Sequence, residues 1–123
     1  MQTFEFVLFI TECMSNDPIA VFITAPTDEE ATAIANALIE KHLAACVQLL
    51  PSMQSVFFWQ GKIERQEEVL LIAKTTSSKF SELEREVREL HSYETPEIVA
   101  FPLTLVNKSY LSWMKANLVE EQV

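Results

Sequence analysis

Ile19 to Ala25, Val69 to Ala73 and Glu97 to Leu103 are runs in which apolar residues follow one another instead of alternating with polar ones. Successive side chains of a strand point to opposite faces, so strands of this kind make a sheet that is hydrophobic on both faces. The chain offers only two long amphipathic helical patterns to cover that sheet, enough for one face. The other face would be a large exposed apolar patch, which soluble monomers rarely tolerate. Burying 800 Å² of it per chain at roughly 25 cal/mol per Å² gives a gross drive of roughly 20 kcal/mol towards association. The pattern therefore predicts an obligate oligomer.

The order of elements defines the sheet. Ile19 to Ala25 reads as a strand broken by Pro26, and Thr27-Asp28-Glu29-Glu30 has the spacing of a capping box. Ala31, Ile34, Ala35, Leu38 and Ile39 give the stripe of a helix running to about His42. Ala44 to Trp59 is extended and bent at Pro51, and Gln60-Gly61-Lys62 predicts a hairpin turn with the glycine at positive φ. Glu67 to Thr75 is the next strand. Phe80, Leu83, Val87 and Leu90 mark a helix over about Ser78 to Leu90. A strand over Glu97 to Leu103 and a helix over about Asn107 to Leu118 complete the chain. The fold class is α+β: a ferredoxin-like βαββαβ sandwich with an extra C-terminal helix. Residues 19–118 form this domain, residues 1–18 an N-terminal extension of no assigned function and residues 119–123 a tail.

Composition removes several functions. The 123 residues suit one domain. A net charge of −9, from 18 acidic and 9 basic residues, argues against nucleic acid or an anionic membrane as a partner and is compatible with cations. Gly61 is the single glycine, which excludes glycine-rich phosphate loops and a Gly-x-Ser-x-Gly nucleophile elbow. The two cysteines, Cys13 and Cys46, have neither Cys-x-x-Cys nor zinc-finger spacing and suggest a reducing, cytoplasmic setting. Met1 to Asn16 carries the apolar run Phe6 to Ile10 but no Lys or Arg, so neither a secretory leader nor a membrane span is expected there.

Chemistry concentrates in His91-Ser92-Tyr93-Glu94-Thr95-Pro96-Glu97, between the second long helix and the last strand. Pro96 pushes Thr95 towards an extended conformation and stops the helix before it, a junction that aims side chains from a rigid scaffold. An imidazole is the commonest transition-metal ligand, so His91 is the anchor of a candidate metal set with Glu94 and, where the fold brings it near, Cys46. The alternative for His91 is a hydrogen-bonded structural role, and for Cys46 that of a small core hydrophobe. Lys74, Tyr93, Glu97 and Trp59 are candidates for a cleft holding a small anionic effector. No third group orients a Cys46–His91 pair, so an enzyme is not expected.

Six segments in unbroken order carry a family resemblance. They are Thr24-Ala25-Pro26, Lys41 to Val47, Trp59 to Glu64, Glu68 to Thr75, His91 to Glu97 and Tyr110 to Trp113. Together they resemble the CutA divalent-cation-tolerance family, from about Ile19 to Leu118. The resemblance implies a stable, cytoplasmic, ferredoxin-like homotrimer involved in the response to metal ions, binding copper or other divalent cations weakly. Some members look as though they bind copper through a cysteine before Thr-Ala-Pro and paired histidines before the Tyr. Here Ile23 and Leu90 occupy two of those positions and His91 the third. The fold is also similar to that of trimeric PII-type proteins, so the alternative is an effector-binding or scaffold protein with no metal role.

Overall fold

The computed structural model describes residues 16–119. Four strands, β1 (Pro18–Ala25), β2 (Cys46–Trp59), β3 (Lys62–Thr76) and β4 (Ile98–Pro102), form one antiparallel sheet in the order β2-β3-β1-β4. Helices α1 (Asp28–Glu40) and α2 (Phe80–Leu90) connect them, and α3 (Lys108–Ala116) follows β4. This is the expected βαββαβ order with its extra C-terminal helix.

Local chemistry explains each boundary. Thr27, in extended conformation, caps α1 by accepting from the Glu30 N–H at 3.2 Å, and Asp28, Glu29 and Glu30 in the first turn complement the helix dipole. The α1 stripe buries Ala31, Ile34, Ala35 and Leu38, while Ile39 remains exposed. A 3₁₀ turn over Ser77–Lys79 leads into α2, which buries Leu83 and Val87 and leaves Leu90 at the surface. These residues pack on Ile19, Val21, Ile23 and Ala25 of β1 and on Val69, Leu71 and Ala73 of β3. They form the main core, on one face of the sheet.

The hairpin between β2 and β3 departs most from expectation. Gln60 and Gly61 both have positive φ, +51° and +79°, and Trp59 pairs with Lys62, so this is a two-residue turn that needs left-handed backbone at both central positions. β3 begins at Lys62, five residues before the expected Glu67. The polar run Glu64-Arg65-Gln66-Glu67 conceals it, because among the described residues this half of the strand pairs with β2 alone and contributes nothing to the main core. β1 ends opposite Val69, so Met53–Trp59 and Lys62–Glu68 continue past the sheet as a two-stranded ribbon. The bend expected at Pro51 is a register irregularity between Leu50 and Met53, with Ser52 at φ +62°.

The second sheet face carries Leu50, Leu70, Ile72, Phe22, Val99 and Phe101, which share it by register. Phe22 and Phe101 meet edge to face at 4.9 Å. Among the described residues, only α3 and the turn after it pack towards this side, placing Met114 and Leu118 against Ala45 just before β2. The ribbon tip is also apolar and open, with Phe58 74% and Trp59 62% exposed. Two unsatisfied hydrophobic surfaces therefore remain on one chain.

Candidate functional site

The segment after α2 folds back onto the end of β1. Leu90 ends α2, and the His91 N–H still donates to the Val87 carbonyl at 2.8 Å as the backbone turns extended. His91 is only 8% exposed. Its Nε2 lies 2.6 Å from the Thr24 carbonyl oxygen, an acceptor, so Nε2–H donates there. Its Nδ1 lies 3.0 Å from the Tyr93 N–H and accepts from it. Both ring nitrogens are thus engaged with backbone groups, and the Glu30 carboxylate lies 3.3 Å from Nδ1. That carboxylate accepts from the Ser92 N–H at 3.0 Å and the Ser92 hydroxyl at 3.1 Å, so the capping-box glutamate reaches another segment.

Tyr93 stands beside the His91 ring, with centroids 4.8 Å apart, and places its phenol where β1 stops. The hydroxyl accepts from Gln66 Nε2 and donates to Glu68 Oε2 at 3.2 Å. Glu68 is 7% exposed, a carboxylate buried at the base of the ribbon. Burial first, then the Glu68 charge and hydrogen bond, push the Tyr93 phenol above its ordinary pKa, with the Gln66 amide opposing. The phenol is therefore held as a hydrogen-bond donor. Sequence reading named His91 and Tyr93 but missed Glu68, Gln66 and the second role of Glu30. A carboxylate heading the apolar run Val69 to Ala73 was the available signal for Glu68.

The other named residues lie apart within one chain. Cys46 pairs in register with Lys74 and, through it, with Ala20, four residues from Thr24 on β1 or about 13 Å along the sheet. Glu94 and Glu97 are exposed on the connection. Trp59 is at the ribbon tip, four rungs from the Ser55–Gln66 pair that approaches Tyr93. Lys74 is six residues beyond Glu68 on β3, about 20 Å from the Tyr93 contact, with Nζ 5.4 Å from the Tyr110 ring centroid. Among the described residues, no group of three or more His, Cys, Asp or Glu side chains converges as a metal set. A groove of about 580 Å³ lies elsewhere, lined by residues including Glu40, His42, Glu82 and Arg85, with the Lys41–Glu86 ion pair at 2.8 Å across it. No helix among the described residues is long and apolar enough to cross a membrane.

The chain is thus a ferredoxin-like α+β sandwich with a projecting ribbon, an open apolar face and a His–Tyr–Glu network at the ribbon base. Comparison with known proteins narrows that class. Residues 19–117 match the CutA1 divalent ion tolerance protein family. The divalent-cation tolerance protein CutA of Archaeoglobus fulgidus is 49% identical over 94 residues, 76% of this chain and 91% of that protein. The protein of the same name from Thermus thermophilus is 45% identical over 97 residues, 79% of this chain and 94% of the relative. The solved A. fulgidus structure, described as a periplasmic divalent cation tolerance protein, superposes with a TM-score of 0.81 at 45% identity, covering 83% of this chain and 99% of that one. The chain belongs to the CutA1 divalent ion tolerance family.

Proposed function

We propose that this chain is a non-catalytic, cytoplasmic, homotrimeric divalent-cation-tolerance protein whose contact with copper or other divalent cations is weak and shared between subunits. Membership of the CutA1 family over residues 19–117 carries the reading. Trimer formation is supported by the open sheet face, the exposed ribbon and two edge strands, β2 and β4, that have no outer partner among the described residues. An exposed, long and apolar edge invites pairing with another chain, and a closed ring removes it. A cytoplasmic setting is supported by the free thiol of Cys46.

One chain does not fit a preformed transition-metal centre. The His91 nitrogens are both taken by backbone groups, and Cys46 stands far along the sheet. His91, Glu94 and Cys46 enter this reading only as ligands pooled between neighbouring copies. Two measurements test it. Sedimentation equilibrium should return three times the 14.0 kDa mass of the chain, and a monomer would refute the assembly. Titration of the reduced protein with Cu(II) against a competing chelator should show weak uptake, reduced by Glu94→Ala. Tight stoichiometric binding lost in His91→Ala would overturn the weak, shared mode. Uptake no greater than that of an unrelated acidic protein would remove cation binding altogether.

A further inference from the structure

His42 stands where two helices end. It follows α1 with φ +56°, and the Leu43 N–H donates back to the Leu38 carbonyl at 2.8 Å, so a left-handed turn closes the helix and sets where the ring lies. The ring Nδ1 is 3.1 Å from the carbonyl oxygen of Asn117, the residue that terminates α3. A carbonyl only accepts, so Nδ1–H donates. This bond, with the burial of Met114 and Leu118 against Ala45, ties the end of α3 to the segment between α1 and β2. The helix itself is short. It has nine residues, and its N-cap Asn107 makes no side-chain cap, its amide donating instead to the Ser109 hydroxyl at 3.0 Å. Such a helix is marginal without tertiary contacts, and local opening near a chain end costs least.

Charge on the imidazole bears directly on that contact. A neutral ring carries one proton, which must sit on Nδ1 for the bond to form, whereas an imidazolium always has it there. The charged ring also makes the bond charge-assisted and places a cation at the negative end of α3. The charged groups around it come from three elements. Glu40 and Lys41 at the end of α1 line one groove with Glu82, Arg85 and Glu86 of α2, and Lys115 is in the last turn of α3. Lys41 is paired with Glu86 at 2.8 Å. Of the rest, Glu40 and Glu82 favour the imidazolium while Arg85 and Lys115 oppose it, so the direct contact with Asn117 decides the sign. We propose that His42 is a proton-operated clasp for the C-terminal helix: gain of a solvent proton at Nε2 tightens α3 against the start of β2, and its loss loosens α3. The clasp uses neither His91 nor Glu94 and is independent of the cation reading.

Hydrogen exchange of the full chain at about pH 5.5 and about pH 8, either side of the range in which an imidazole changes charge, tests this. Each amide's rate is divided by its intrinsic rate at the same pH. The Asn117 and Leu118 N–H groups donate within the end of α3, and their protection should be at least about threefold greater at the lower pH. His42→Asn keeps a residue that tolerates left-handed backbone but removes the titration, and its ratio between the two pH values should fall to about one. Equal protection at both pH values, greater protection at the higher one, or a ratio kept in His42→Asn would each overturn the proposal. Should His42→Asn fail to fold, the α2 amides of the unaltered chain are the reference. A pH ratio in α2 equal to that at the end of α3 would then overturn the clasp, and a ratio confined to α3 would support it.

Discussion

Tyr93→Phe deletes one oxygen and tests whether the network at the ribbon base stabilises the fold. In the intact chain that oxygen accepts from Gln66 and donates to the buried Glu68 carboxylate. Its loss leaves Glu68 without this donor. A hydrogen bond to a charged group contributes about 1.5–3 kcal/mol, and partial exposure of Tyr93 favours the lower half, about 1.5–2 kcal/mol. At roughly 4–8 °C per kcal/mol for a domain of this size, the melting temperature should fall by about 10 °C. Urea unfolding at one fixed protein concentration measures the change without confusing it with assembly. In a cycle with Glu68→Gln, the double variant should cost less than the two singles together by about 1 kcal/mol. A Tyr93→Phe chain within about 0.5 kcal/mol of the parent, with no coupling to position 68, would refute the assigned role. The same variant fixes the sign of an alkaline effect. The folded state holds the phenol above its ordinary pKa, so the unfolded chain releases its proton first as pH rises. The contribution is complete below about pH 10 and declines from there towards the raised folded value. The parent should therefore lose more stability above pH 10 than Tyr93→Phe.

Two further stability predictions follow. Gly61→Ala meets open space at the added Cβ, so its cost comes from backbone strain at φ +79° and should be about 1 kcal/mol by urea unfolding, without change in the core. Leu83→Ala, at a fully buried position, should cost about 2–5 kcal/mol, whereas Leu90→Ala on the same sequence stripe should cost under about 1 kcal/mol because that side chain is exposed. Equal losses at the two leucines would contradict the packing of α2.

What the sequence made legible was local. The capping of α1 by Thr27, the turn at Gln60-Gly61 and the stripes of α1 and α2 depend on residues within a few positions of one another, so pattern and propensity suffice. The early part of β3 stayed hidden because a free ribbon needs no core-facing run. The contact of Lys74 with Tyr110 was not legible, since it depends on how a terminal helix returns to the sheet. Residue type announced His91, but its partners Thr24 and Glu30 lie far back in the chain, where spacing carries no information.

The same distinction explains why the His91-Ser92-Tyr93 segment looks like a chemical site. β3 outruns β1, so its edge beyond Val69 loses a strand partner just where Glu68 is buried. Something polar must fill that place, because a buried carboxylate without donors is costly. Tyr93 supplies the hydroxyl, His91 anchors the Tyr93 backbone to the last turn of β1 through Thr24, and Glu30 secures Ser92 from α1. His91, Tyr93, Glu30 and Glu68 are committed to holding the ribbon where it leaves the sheet, whereas Glu94 is exposed on the connection. The aromatic tip of that ribbon, Phe58 and Trp59, stays largely exposed on the single chain. The polar network and the apolar overhang are thus two consequences of one mismatch in strand length.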